Sequence, residues 1–249
     1  MKSAKREFDY NEFHDPRTKY RGLPFWAWNR KLNKDLLQKQ LDFFKKMGFA
    51  GAVIHSRNGL ADRYLGDKFF DSVHFALEYA EKIGLKIWIY DEDRWPSGSA
   101  GGIITADLGL RKKYLLITKQ KRDGKLLACF DVTLDEDGFL TGYKKTAERP
   151  DAVKVYFMTA SNDPRYNGNA YVDTMNSQAI DRFIDVTYEK YKSEFGPELS
   201  KFGAVFTDEP QVERKTNFEF SHETDNINVV LPWTDDFADT YRKLYDEDI

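Results

Sequence analysis

A single cysteine, Cys129, stands among 249 residues. One thiol builds neither an internal disulfide framework nor a cysteine-based zinc site. Long apolar runs are missing as well, and no stretch approaches the roughly 20 residues that span a bilayer. The first ten residues are charged and lack the apolar segment of a secretory signal. These absences lead us to expect a cytoplasmic protein with no membrane partner. Neither sign of charge prevails, with 38 basic against 41 acidic residues and a net charge of −3. The basic residues are spread along the chain, which argues against a nucleic-acid partner. The glycines at 98, 101 and 102 are followed by no Gly-Lys-Ser/Thr, and a Gly-x-Gly-x-x-Gly spacing is absent, so no phosphate loop is expected. Ser97 lies in Pro-Ser-Gly without the Gly-x-Ser-x-Gly elbow of serine hydrolases. His14, His74 and His222 share no spacing with acids and receive no role.

What is present is aromatic. Phe, Trp and Tyr make up 15% of the chain, with five Trp and fourteen Tyr. Aromatic side chains dominate core burial, and they also stack on the flat apolar faces of ligands such as sugars. The length of 249 residues is enough for one large α/β domain or two small ones, and the apolar residues, at 41%, fill a core.

The chain repeats one plan. A strand at 23–28 is followed by a helix capped by Asn33, with Leu37, Leu41 and Phe44 on one face and Gly48 closing it. A buried strand at 50–54 follows. A second helix carries Val73, Leu77, Ala80 and Ile83 on one face and ends at Gly84, before a strand at 86–90. Strands alternating with helices imply a parallel sheet. A short helix is expected at 100–110. Residues 113–160 then read as an antiparallel insertion, with strands at 114–118, 126–132, 139–143 and 153–158 and hairpin signals at Asp123-Gly124 and Asp137-Gly138. The main plan resumes with a helix at 177–194, a strand at 202–206 and a helix at 235–245. Four core strands fit half of an eight-stranded (β/α)8 TIM-barrel fold. The expected organisation is α/β: first βα units at 1–112, the β insertion at 113–160, and barrel again at 161–249. On this reading the chain is the first half of a longer barrel. An open parallel α/β sheet is the alternative.

Polar residues gather where each core strand ends, the edge on which parallel α/β folds carry their sites. The first strand gives Trp26, Trp28 and Asn29, and the second gives His55, Ser56 and Arg57. The third, Ile-Trp-Ile-Tyr at 87–90, runs into Asp91, Glu92, Asp93 and Trp95. The fourth ends in Thr207-Asp208-Glu209-Pro210. Paired carboxylates suit glycoside hydrolysis, in which one acid protonates the leaving oxygen and another activates water or attacks the sugar. Glu209 is the candidate acid, with Glu92 as the second catalytic carboxylate. Trp26, Trp28, Asn29, His55, Arg57, Asp91, Trp95 and Asp208 are candidates for binding substrate. The bland readings are core packing for the indoles and ion pairing or solvation for the acids. No protein motif for a metal or other cofactor is present, although the acids are oxygen ligands that would suit a divalent cation such as calcium.

Five segments also carry a resemblance: Leu-Pro-Phe-Trp-Ala-Trp-Asn at 23–29, His-Ser-Arg-Asn-Gly-Leu at 55–60, Tyr-Asp-Glu-Asp-Arg-Trp-Pro-Ser-Gly at 90–98, Tyr-Val-Asp at 171–173 and Phe-Thr-Asp-Glu-Pro at 206–210. Together they resemble bacterial glycosyl hydrolases related to the α-L-rhamnosidases of glycoside hydrolase family 106. The resemblance implies a multidomain enzyme with a catalytic (β/α)8 barrel and attached β-sandwich domains. It implies an inverting, calcium-assisted hydrolase using two Glu, with Glu209 at the fourth strand end where many barrel glycosidases keep their acid. The second carboxylate of such barrels usually comes from a later strand, which this chain lacks. The expected partners are an oligosaccharide or glycoside substrate, further domains of the same polypeptide, or a second copy. Two other readings stay open: a non-catalytic carbohydrate-binding module, and a metal-dependent sugar isomerase or aldolase.

Overall fold

The computed structural model describes residues 8–137, 139–213, 215–217 and 228–249. His222 and Gly138 lie outside the described residues. In chain order the elements are α1 (Tyr10–His14), β1 (Phe25–Trp28), α2 (Lys34–Lys46), β2 (Gly51–Ser56), α3 (Asp67–Ile83) and β3 (Lys86–Asp93). Then come β4 (Lys113–Thr118), β5 (Lys125–Leu134), β6 (Leu140–Thr146), β7 (Val153–Thr159), α4 (Ser177–Ile184) and α5 (Lys190–Phe195). The last are β8 (Val205–Phe206), β9 (Thr216–Asn217), β10 (Asn228–Trp233) and α6 (Phe237–Tyr245). The fold is mixed α/β with one parallel and one antiparallel sheet. It divides into two compact units, one of residues up to Ser97 with Thr187–Asp208, the other of Gly98–Val186 with Glu209–Ile249.

The first unit holds the parallel sheet, in the order β1-β2-β3-β8. Its helices start and stop for local reasons. The Asn33 side chain accepts from the Leu36 amide at 3.0 Å and satisfies one free donor at the start of α2. Gly84, at φ 75°, ends α3 in the left-handed conformation. Strand β1 alternates, with Trp26 and Trp28 buried and Phe25 and Ala27 exposed. The two indoles face the helices: Trp26 Nε1 donates to Gln40 Oε1 at 2.9 Å, and Trp28 packs edge-on to Phe69 at 5.5 Å. Burying a side chain such as Phe69 contributes about 1.5–3 kcal/mol. Gly51 is required where β2 passes β3, because a Cβ there would lie 1.7 Å from the Lys86 carbonyl oxygen.

The opposite face of this sheet is curved. Phe25 sits on β1 and Phe206 on β8, at the two ends of a four-stranded sheet. In a flat sheet strands that far apart would be separated by roughly 14 Å. The two rings meet edge to face at 5.1 Å. Between them His55 stacks on Tyr90 at 3.7 Å, and Tyr90 stacks on Phe206 at 5.9 Å. The sheet therefore curls around an aromatic concave face. It is open among the described residues, since β1 pairs only with β2 and β8 only with β3.

The second unit holds the antiparallel sheet, ordered β6-β5-β7-β4-β10-β9. Strands β5 and β6 form the expected hairpin, in which Asp135 accepts from the amides of Asp137 and Phe139. The Asp123-Gly124 turn does not close a hairpin, because β7 pairs on the side of β4 that the turn would have given to β5. The segment after Asp208 adds strands to this sheet: β10 pairs with β4 from Asn228↔Thr118 to Trp233↔Lys113. The expected helix at 100–110 is instead two 3-10 turns, Ile104–Ala106 and Leu108–Leu110. Positive φ at Ala100, Gly101 and Gly102 precedes them, and the Asp107 side chain caps the second. The expected helix at 177–194 is α4 and α5 joined by a π turn, Asp185–Glu189. The wider turn keeps Phe183, Thr187, Tyr191 and Phe195 buried while Ile184 is exposed.

Candidate active site

Strand β3 continues through the three acids rather than ending before them. Ile54 pairs with Ile89, yet Ser56 pairs with Asp93, so β3 carries extra residues opposite His55. Such a bulge re-aims side chains. It turns Asp91, Glu92 and Asp93 inward, at 2%, 1% and 7% exposure.

Buried carboxylates need donors, and these have them. Asp91 Oδ1 accepts from Ser97 Oγ at 2.6 Å, while Oδ2 accepts from Tyr188 Oη at 2.6 Å and Thr207 Oγ1 at 2.7 Å. Burial, then the Asp91 contact, pushes the Tyr188 hydroxyl up to about 12, so it stays a donor. Asp93 accepts from the Ser56 hydroxyl. Glu92 Oε1 accepts from the Asp93 amide at 2.8 Å. Enclosed in this way, Glu92 does not face solvent. Asp91 likewise ties β3 to β8 and to the π turn. An apolar cavity of about 150 Å³ lies behind it, lined by Ile89, Tyr191, Phe202 and Val205 among others.

Asp208 is different. It is half-buried at the end of β8, and Tyr90 Oη donates to its Oδ2 at 2.8 Å. Its main chain is clasped by buried Ser97: the Asp208 amide donates to Ser97 Oγ at 2.9 Å, and the Ser97 amide donates to the Asp208 carbonyl at 2.8 Å. Burial, then the hydrogen bond to Asp208, raises the Tyr90 hydroxyl far above its ordinary value. Glu209, the next residue, is exposed and holds φ at 44°. A glutamate in the left-handed region is uncommon, and such backbone outliers cluster at functional positions.

His55 completes the concave side. Its Nε2 lies 2.8 Å from the Arg94 carbonyl oxygen. A carbonyl only accepts, so Nε2 carries the proton. Burial lowers the imidazole's affinity for a second proton, against the opposing effect of that hydrogen bond. His55 is thus a neutral ring locked between Tyr90 and the Arg94 turn, where Arg94 itself has φ 90°.

The structure brings His55 and Asp208 together through Tyr90. Asn29, Arg57 and Trp95 are exposed at the strand ends, with Trp95 joined to Pro96 by a cis peptide bond. Trp26 and Trp28 do not belong to this surface, since the strand pleat sends both indoles to the helix side. Tyr90, Ser97, Tyr188 and Thr207 carry no site role by sequence pattern, yet they hold the acids in place. Tyr90 alone had a visible signal: it alternates with Ile89 and Asp91, and so faces the other side of β3. Asp173, from the Tyr-Val-Asp segment, belongs to the second unit. There it is buried and accepts from Thr234 Oγ1 at 2.7 Å.

No group of three or more His, Cys, Asp or Glu is arranged to hold a metal ion among the described residues. Hydrogen-bond donors of the chain already occupy both oxygens of Asp91 and one oxygen each of Asp93 and Asp208. No helix among the described residues is long and apolar enough to cross a membrane.

No family model matches this chain. No curated protein matches it either. Among solved structures, a rhamnosidase from Novosphingobium sp. PP1Y is similar at 22% identity, with a TM-score of 0.34. The likeness covers 48% of this chain and 12% of that one.

Proposed function

We propose that this chain carries part of the catalytic barrel of a glycoside hydrolase, of the α-L-rhamnosidase-like kind that its strand-end motifs resemble. The curled parallel sheet would supply four strands of a (β/α)8 barrel. Its edge strands, β1 and β8, would take further strands from the same polypeptide or from a second copy. The substrate is a glycoside or oligosaccharide, received at the carboxyl ends of the strands.

The observation that carries this reading is the end of β8: a half-buried Asp208 held by Tyr90, followed at once by an exposed Glu209 in the left-handed region. In the proposed reaction Glu209 protonates the leaving oxygen, and a second carboxylate activates water or attacks the sugar. Asp208, oriented by Tyr90, binds sugar hydroxyls. Asn29, Arg57 and Trp95 contribute from the neighbouring strand ends. No step is assigned to calcium.

Turnover of a panel of aryl glycosides tests this. Glu209→Gln should lower kcat by at least about 100-fold, the scale of general acid catalysis, with the thermal melt unchanged. Normal turnover in that variant sinks the assignment. A second reading, sugar binding without hydrolysis, is favoured by one observation: Asp91, Glu92 and Asp93 are all enclosed. Sugar binding by calorimetry with no cleavage of any aryl glycoside would select it.

A further inference from the structure

The antiparallel unit holds a cleft of about 340 Å³, near the lower end of the range for ligand pockets. We infer that this cleft is a binding site for one neutral sugar ring, separate from the strand-end acids. The inference would stand whether or not the protein hydrolyses anything.

Three features define the ligand. The first is charge balance. Lys112 Nζ pairs with Glu213 Oε2 at 2.6 Å, and Arg165 Nη2 pairs with Asp163 Oδ2 at 2.7 Å. Each charge lining the cleft thus faces its opposite, so an ionic ligand would have to break an existing pair. A ring of hydroxyls need not, because each hydroxyl both donates and accepts. The second is aromatic lining, from a half-buried Tyr114 and from Tyr166 and Tyr171, which are buried and show only a small part of their rings. The last two rings lie 5.6 Å apart and are tilted at 38°. Phenol rings offer apolar faces to C–H groups while their hydroxyls remain polar.

The third is an oriented amide. Arg111 is buried and donates from Nη1 to Asn162 Oδ1 at 2.7 Å, from Nη2 to Asn169 Oδ1 at 3.3 Å, and from Nε to the Thr105 carbonyl at 2.7 Å. All three acceptors are neutral. The guanidinium therefore fixes the Asn162 amide with its oxygen inward and its NH2 as the remaining donor. It also polarises that amide and strengthens the donor. An exposed asparagine held in one orientation by a buried cation is a costly arrangement for an idle surface.

The test uses the full chain and three probes: methyl α-L-rhamnopyranoside, methyl α-D-glucopyranoside and methyl β-D-galactopyranoside. Inorganic phosphate serves as the anionic comparison. Saturation-transfer NMR and calorimetry should show at least one glycoside binding with Kd on the order of 1 mM, an ordinary affinity for one small ring. Asn162→Ala, at some cost to the melt because it removes an acceptor of Arg111, and separately Tyr114→Val, which keeps a strand-forming residue and the melt, should each weaken it at least fivefold. Amide shifts mapped by NMR should move at Ala160, Asn162 and Asp163, residues of the cleft lining, which separates this cleft from the proposed hydrolytic site. The proposal is overturned if no glycoside binds up to about 20-fold above that Kd, if neither cleft variant weakens binding, if the amide shifts of Ala160, Asn162 and Asp163 stay still, or if phosphate binds the cleft in preference to all three sugars.

Discussion

The phenol of Tyr90 donates to Asp208 across the junction of β3 and β8, with 2.8 Å between Oη and Oδ2. The same ring stacks on His55 and on Phe206. Tyr90 thereby couples the aromatic concave face to the one half-buried acid at the strand ends. Tyr90→Phe keeps the stack and removes only the donor. We expect a stability loss of about 1 kcal/mol, since water reaches Asp208 in part. In a glycoside assay kcat should fall about tenfold, equivalent to about 1.4 kcal/mol. Urea melts and steady-state kinetics on the same preparation check both; unchanged kinetics would reduce the phenol to a packing role.

Ser97 is fully buried and serves three bonds, one to Asp91 and two to the Asp208 main chain. Ser97→Ala leaves Asp91 Oδ1 and the Asp208 amide each short of a partner. The expected cost is about 1–3 kcal/mol. Hydrogen exchange should show the loss concentrated at β8. A variant as stable as the parent would mean that the clasp contributes nothing.

His55 should titrate below its ordinary value of 6.5, because burial disfavours the imidazolium. With the folded value depressed, the unfolded chain takes up the proton first as pH falls. The His55 contribution to stability is therefore complete above 6.5 and is lost as pH drops through that value toward the folded one. Imidazole proton shifts followed by NMR give the midpoint directly. A midpoint above 6.5 contradicts the buried neutral ring. Urea melts at about pH 5 and about pH 8 should show His55→Gln closing its gap to the parent at the lower pH.

Two glycines should behave oppositely. At Gly51 a new Cβ would strike the Lys86 carbonyl oxygen at 1.7 Å, backbone that cannot yield without parting β2 from β3. Gly51→Ala should cost on the order of 3 kcal/mol or more. At Gly142 on β6 the nearest atoms stand 3.9 Å from the added carbon, so Gly142→Ala should stay within about 0.5 kcal/mol. Equal effects in denaturant melts would contradict the register of the parallel sheet.

Much of the helical frame was legible because its signals are local. Asn33 before α2 and Gly84 after α3 act within one turn of chain. Pairing was less legible. Asp123-Gly124 reads as a hairpin by composition, yet β7 competes successfully for β4, and nothing near the turn announces it. The strand-end acids were found as a cluster, but their burial was not foreseen. It depends on a bulge opposite His55 and on hydroxyls from Ser56, Ser97, Tyr188 and Thr207, two of them about a hundred positions away in the sequence. The sides taken by Trp26 and Trp28 depend on which residue of β1 meets Val53, a long-range register that periodicity alone leaves open.

Strand β8 is only two residues long, and Val205 and Phe206 are its pairing positions with β3. So short a ladder does little to fix its own place. The hydroxyls of Ser97, Thr207 and Tyr90 do much of that work from outside the ladder. The end of the sheet that carries Asp208 is thus held mainly by side chains, whereas β1, β2 and β3 are held by longer runs of paired backbone.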